Sequence, residues 1–188
     1  KWRFVLPAFL RSKFKSTSFF ELLIGELEAL VVGLVGGIPT VVGMLIRNVL
    51  YRMLGMKIKG FCWIQPRVTI VNLRRLRVGR HFGCNSGAYI NAIGRIEMGD
   101  DVLIGSNVTI SSGKHPIEGR DTSVFSRPAI PMQIKFGNDV WIGAGASVLP
   151  GVEVAEGTVV GANSVVTKDT ESYSVVVGAP ARVVRFRE

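Results

Sequence analysis

The sequence predicts an all-β solenoid, a parallel β-helix of about five triangular coils, fronted by a helical apolar segment. Three observations predict it. From residue 58 to residue 170 the chain counts in sixes, each unit opening on an apolar residue and carrying a small or branched one at its fifth place. The count slips only after every third unit, at Leu76 and Arg77, at Ile96 and Glu97, and over residues 116–135. Ahead of the repeats, residues 29–46 are apolar except for Thr40. A hexapeptide period marks coils that bury their apolar row only against neighbouring coils. Three sixes per coil, with every insertion at one corner, describe a three-sided prism, and that corner is where function is expected.

The chain divides into residues 1–57, a basic and apolar helical front; 58–175, the β-helix with its 116–135 loop; and 176–188, a basic tail. It opens at Lys1 rather than a methionine, consistent with native residues ahead of it. The formal charge of +9 is uneven: residues 1–80 hold 14 Lys/Arg and 3 Asp/Glu, residues 81–188 hold 9 and 11. A basic front on a near-neutral body points to an anionic surface. The basic residues are not set in a recognisable nucleic-acid fold, which argues against nucleic acid and leaves a membrane.

In the front, Gly33, Gly36, Gly37, Pro39 and Gly43 interrupt the apolar run, and Pro39 breaks a helix near its middle. A secretory signal fits badly, because Glu21, Glu26 and Glu28 lie just before the run. Lys1, Arg3, Arg11, Lys13 and Lys15 precede the run, and Arg47, Arg52, Lys57 and Lys59 follow it. Basic residues mark the cytoplasmic side of a membrane segment, so a bent segment entering and leaving on one face is favoured over a single span. A helical hairpin packed on the prism is the alternative.

In the repeats, units begin at Ile58, Ile64, Ile70, Val78, Cys84, Ile90, Met98, Ile104 and Ile110, then at Phe136, Ile142, Val148, Val154, Val160 and Val166. Cys62 and Cys84 fall inside units and read as small buried hydrophobes of a reducing compartment. Of the two histidines, His81 sits on the outside of the prism as ordinary surface. His115 closes the Ile110 unit where the chain leaves for the loop, after the small residues Ser111, Ser112 and Gly113. Loops on rigid scaffolds carry catalytic groups, and an imidazole with its ordinary pKa of about 6.5 suits a general base. Two histidines cannot supply the three ligands of a catalytic zinc site.

The run at 110–115, the block NDVWIGAG at 138–145, the block GANSVVTKD at 161–169 and the tail VGAPARVVR at 177–185 resemble the hexapeptide-repeat acyltransferases. More narrowly they resemble the galactoside, maltose and bacterial polysaccharide O-acetyltransferases. The stretch IGELEALVVGLVGGIPTVVGMLIRNVLYRMLG resembles the front of colanic-acid-type and O-antigen O-acetyltransferases. The resemblance implies a left-handed β-helix, a homotrimer with active sites between subunits, and acetyl-CoA as co-substrate without a metal. It implies a sugar hydroxyl as acceptor, on a surface polysaccharide or its lipid-linked precursor, met at the inner face of the cytoplasmic membrane. His115 matches the family's general base, and Asn85 a position near the acceptor. Trp141 matches a tryptophan of the coenzyme cleft. Gly143, Ala144, Gly161 and Ala162 form a smooth row for the pantetheine arm, Thr167 and Lys168 match a coenzyme turn, and Arg182 and Arg185 a basic tail suited to phosphates.

Asn91, Ala92 and Ile93 stand where the family has an acidic residue. Glu118 and Glu153 are candidates to orient His115, and a backbone carbonyl would serve as well. An amine of an amino sugar is an alternative acceptor, and a non-catalytic β-helix scaffold a second class. The helical front domain and paired motifs of serine acetyltransferases are not evident.

Overall fold

The computed structural model describes residues 19–188. The basic residues Lys1, Arg3, Arg11, Lys13 and Lys15 lie outside them. Two helices, α1 (Phe19–Gly36) and α2 (Thr40–Met53), precede the prism. The prism has three parallel sheets. The first joins Lys57–Ile58, Leu76–Val78, Ile96–Met98, Ile134–Phe136 and Glu153–Val154. The second joins Trp63–Ile64, Gly83–Cys84, Leu103–Ile104, Trp141–Ile142, Val159–Val160 and Ser174–Gly178, with Ala181–Phe186 added antiparallel at its end. The third joins Thr69–Val71, Tyr89–Asn91, Thr109–Ser111, Ser147–Val148 and Val165–Val166. This is five complete coils with a sixth level on the second face. The Ser174–Gly178 and Ala181–Phe186 hairpin crosses the expected boundary at 175/176, so the basic tail closes the prism's far end.

The six-count sets the core. Ile64, Cys84, Ile104, Ile142, Val160 and Val176 stack in register down the second face, and Ile70, Ile90, Ile110, Val148 and Val166 down the third, all buried. Burying each such side chain stabilises by roughly 1.5–3 kcal/mol before cavity terms. The inserted pairs are placed differently from the expectation. Leu76, Ile96 and Ile134 belong to first-face strands and are themselves buried, giving that face a second inward residue two places before Val78, Met98 and Phe136. The extra length turns out just before them, in the 3-10 turn Leu73–Arg75, at Ala92–Arg95 and in the loop. All three sit at the corner between the third and first faces.

α1 turns Glu28, Val32 and Val35 inward, a four-then-three spacing that makes one helical face. α2 does the same with Met44, Arg47, Asn48 and Tyr51. Between them the chain reverses at Pro39. Gly43 is required there, because a Cβ would meet the Ile38 carbonyl oxygen at 2.3 Å. The hairpin covers the open end of the first coil, whose ladder groups would otherwise be unpaired. Arg47 Nε donates to the Ile64 carbonyl at 3.0 Å, and its Nη1 to Val35 and Ile38 carbonyls at 3.0 and 2.8 Å. Burial holds this guanidinium below its ordinary pKa. Glu28 accepts from the Leu73 N–H and from Arg74 Nε. The packed hairpin is thus an end cap of the solenoid. No helix among the described residues is long and apolar enough to cross a membrane, which corrects the single-span alternative.

Candidate active site

The loop corner is built from the third coil. Ser112 is buried, its hydroxyl donating to the Asn91 carbonyl at 2.9 Å and accepting from the Gly94 N–H at 2.8 Å. Gly113 passes so close to the coil below that a Cβ would meet Ile93 Cγ2 at 2.7 Å. Gly113–Lys114 then pairs antiparallel with Ile130–Pro131, and the Met132 N–H returns to the Ser112 carbonyl at 2.8 Å. This two-stranded clip carries His115 as the first residue beyond it. The excursion is accordingly shorter than the expected 116–135, since Ile130–Pro131 and Ile134–Phe136 are already paired. Within it, Arg127 braces the backbone by donating to the Thr122 and Glu118 carbonyls.

His115 is exposed, and among the described residues no hydrogen bond reaches its imidazole. Glu118 does not orient it. Its carboxylate accepts from main-chain N–H groups of Glu118 and Ile117 and stands 3.8 Å from Lys114 Nζ, all of which pull its pKa down. Glu153 lies on the first face paired with Lys135 in register, and no bond joins it to His115 either. His81 is surface, as expected, with Nδ1 2.7 Å from Asp101.

The remaining candidates fall on two corners. Asn85, Gly143, Ala144, Gly161 and Ala162 follow second-face strands and lie where that face turns to the third. Trp141 projects from the second face nearby, half exposed, stacked on Leu103 and Val159. Gly143 is buried: a Cβ there would meet the Ala162 nitrogen and Val160 oxygen at 2.7 Å, so coil stacking already requires glycine. Ala144 and Ala162 are exposed and form the actual surface of that edge. Thr167 and Lys168 lie instead at the corner of the third and first faces, the same corner as His115 and two coils above it. The third face therefore separates Asn85 from His115 within one chain.

One juxtaposition was hidden in the sequence. Lys168 and Arg182 line a single cavity of about 300 Å³ with Val166, Thr170, Glu171 and Val183. The antiparallel return of Ala181–Phe186 brings them together. Arg185 takes no part; its guanidinium lies over its neighbour's carbonyl, Phe186, at 3.4 Å. Asn91 was noted in the sequence only as a departure. It pairs in register with Ser111, and Asn72 Nδ2 and the Ile93 N–H both donate to its Oδ1 at 3.2 Å.

The outer faces differ in chemistry. The first carries a ladder of charges in register, Lys57, Arg77, Glu97, Lys135 and Glu153. The second presents Trp63, Gly83, Leu103, Trp141 and Val159, and the third Thr69, Tyr89, Thr109, Ser147 and Val165. Two uncharged faces meet at the edge that holds Asn85 and the alanines.

The family profile described as bacterial transferase hexapeptide, six repeats, matches residues 134–168, the fourth and fifth coils. The chain carries this family's repeat there and is similar to hexapeptide-repeat transferases. It is similar to galactoside O-acetyltransferase of Escherichia coli strain K12, 36% identical over 126 residues, which is 65% of this chain and 60% of that protein. It thus spans less than two thirds of the length of that curated relative. Among solved structures, a galactoside acetyltransferase in complex with coenzyme A superposes with a TM-score of 0.79 at 29% identity, covering 87% of this chain and 80% of that one. A maltose O-acetyltransferase from Clostridium difficile 630 superposes with 0.76 at 26% identity, covering 91% and 90%. The family's left-handed β-helix is the fold of this chain.

Proposed function

We propose that this chain is an acetyl-CoA-dependent O-acetyltransferase acting on a sugar hydroxyl, and that its active site is shared between subunits of a homotrimer. The observation that carries the reading is His115, held at the mouth of a rigid clip with its imidazole unengaged within the chain. Relatives bearing this fold are acetyltransferases, one of them with coenzyme A bound. The separation of Asn85 from His115 by the third face supports a composite site. When one subunit's second-to-third edge meets another's loop corner, the two sets of residues face each other. The uncharged second and third faces suit such contacts, and the charged first face suits solvent.

In this reading His115 removes the proton of the acceptor hydroxyl as its oxygen attacks the thioester carbonyl carbon. The tetrahedral oxyanion requires nearby N–H donors, and the main chain around Ala144 is open to supply them. Collapse breaks the carbon–sulfur bond. The leaving thiolate takes the proton from His115, so the imidazole ends neutral and no acyl-enzyme forms. Cys62 and Cys84 are too buried to serve as nucleophiles. Asn85 positions the acceptor, and Trp141, Ala144 and Ala162 line the pantetheine path. Gly143 and Gly161 hold the coils close beneath it, and Thr167, Lys168, Arg182 and Arg185 meet the coenzyme's far end. The acceptor is a bacterial surface polysaccharide or its lipid-linked precursor, met by a peripherally attached enzyme at the inner face of the cytoplasmic membrane.

Release of coenzyme A thiol with a panel of galactosides, maltosides and lipid-linked glycans tests the reaction. Acceptor-dependent thiol release supports it. Binding of coenzyme with no transfer to any hydroxyl, and transfer to an amino sugar instead, would replace it with the N-acetyl reading.

A further inference from the structure

The two helices that cap the prism leave an outward surface that the transferase chemistry does not use. On α1, Phe20, Leu23, Leu27, Leu30 and Leu34 recur at alternating steps of three and four, and each is at least half exposed. On α2, Val41, Val42, Leu45, Val49 and Met53 are exposed to the same degree. An apolar stripe of this length on each of two helices is far beyond scattered surface hydrophobes.

Charge gives the surface its meaning. Between Leu27 and Tyr51 the chain has only two ionisable side chains besides Tyr51 itself, Glu28 and Arg47. Both are turned into the prism, 6% and 0% exposed, and held there by the hydrogen bonds described above. The outward side of this stretch therefore carries no charge. Immediately beyond it the pattern inverts. Residues 52–80 contain Arg52, Lys57, Lys59, Arg67, Arg74, Arg75, Arg77 and Arg80 and no acidic residue. Arg52, Lys57, Lys59 and Arg77 line one open cavity of about 590 Å³ beside the end of α2, with Glu97, 3.7 Å from Arg77, as its one acid. The 18 residues before α1 add Lys1, Arg3, Arg11, Lys13 and Lys15, again with no acid.

We infer that the helical cap is an in-plane docking surface for an anionic lipid bilayer, with the apolar stripes in the acyl–headgroup boundary and the basic first coil against the headgroups. Two exposed acids, Glu21 and Glu26, lie near the start of α1, and the rest of the border is Lys and Arg; an uncharged apolar face with a mainly basic margin is the pattern of a helix lying in the interface. This differs from the bent insertion expected from the sequence, because one side of each helix is already committed to the prism. It also deepens the proposed function, and rests on it for the identity of the acceptor. Arg47 and Asn48 bond the main chain of the first coil at its open end, so the cap sits on the prism axis. His115 leaves the third coil, about 10 Å above the first. With the thickness of a helix added, the reacting hydroxyl stands roughly 20 Å from the bilayer surface. That is the reach of an extended lipid-linked glycan rather than of a lipid's first sugar.

Flotation with vesicles tests the inference without donor or acceptor, so its outcome is separate from that of the transferase reading. Vesicles are phosphatidylcholine alone or with one third phosphatidylglycerol, and the full chain is compared with the double variant Leu30→Glu, Leu45→Glu. Both positions are exposed, and an unchanged circular dichroism spectrum and urea midpoint with unchanged assembly mass certify that the variant is folded. The chain is expected to float with anionic vesicles, with a bound fraction at least tenfold lower on neutral ones and at least tenfold lower for the variant. A chain that stays unbound with anionic vesicles overturns the inference. So does a larger assembly in buffer that the double variant dissociates, which would assign the stripes to a second copy of the chain.

Discussion

Asn48 pairs with Cys62 as a neighbouring strand would. Its side-chain Oδ1 accepts from the Cys62 N–H at 2.9 Å, and its Nδ2 donates to the Cys62 carbonyl at 2.6 Å and to Met44 at 3.0 Å. One amide thus closes the open end of a ladder that continues upward through five coils. Asn48→Ala leaves both main-chain groups of a buried residue unpaired and is expected to destabilise by about 2–4 kcal/mol. Urea unfolding measures it, and a loss below about 0.5 kcal/mol would mean that water replaces the amide without cost.

Burial pushes the Cys62 thiol up to about 12 and raises Cys84 as well. A raised thiol pKa keeps the neutral form at pH 8, and only the thiolate is nucleophilic. The folded protein is expected to resist iodoacetamide at pH 8 and to take up label on both cysteines once denatured. Rapid labelling of Cys62 in the folded state would show that the hairpin opens off the first coil.

These two elements mark how far the sequence could be read. The inward row was legible because a six-residue period is a local property, and every unit-opening residue from Ile64 onward is buried. The second inward residue of the first face was not, because Leu76, Ile96 and Ile134 look identical to inserted residues until the corner they follow is known. Glu28 and Arg47 read as charges flanking an apolar run. Their inward placement depends on partners 9 to 46 residues away, which no local pattern encodes. At the site, the loop corner and His115 followed from the phase slip. Gly143 and Gly161 were legible as small residues, but the need for Gly143 is the close approach of the coil above, visible only in three dimensions.

His115→Ala is expected to lower turnover by about a hundredfold or more while coenzyme affinity and assembly mass persist, the scale for loss of a general base. Unchanged turnover would remove His115 from the mechanism. The proposed composite site sharpens the expectation. Mixing inactive His115→Ala and Asn85→Ala chains through unfolding and reassembly should restore about a quarter of the activity, since one interface in four unites intact partners from different subunits in a cyclic trimer. No recovery would place both residues' work within one chain.

Lys168 and Arg182 share a cavity, so their removal should act together on the coenzyme. Lys168→Ala with Arg182→Ala is expected to weaken coenzyme A by about tenfold or more, the scale of losing charge-assisted bonds to phosphate. Dephospho-coenzyme A should lose less. Equal losses for both would assign the cavity to another part of the coenzyme. Arg185→Ala is expected to have the smaller effect, because Arg185 does not line that cavity.

The most direct measurement is calorimetric titration of the intact assembly with acetyl-CoA, with coenzyme A and dephospho-coenzyme A alongside. It requires no knowledge of the acceptor. The account predicts one site per chain, micromolar affinity for acetyl-CoA, and weaker binding of the dephospho form. A folded assembly that binds none of the three would contradict the transferase reading and leave a capped β-helix scaffold.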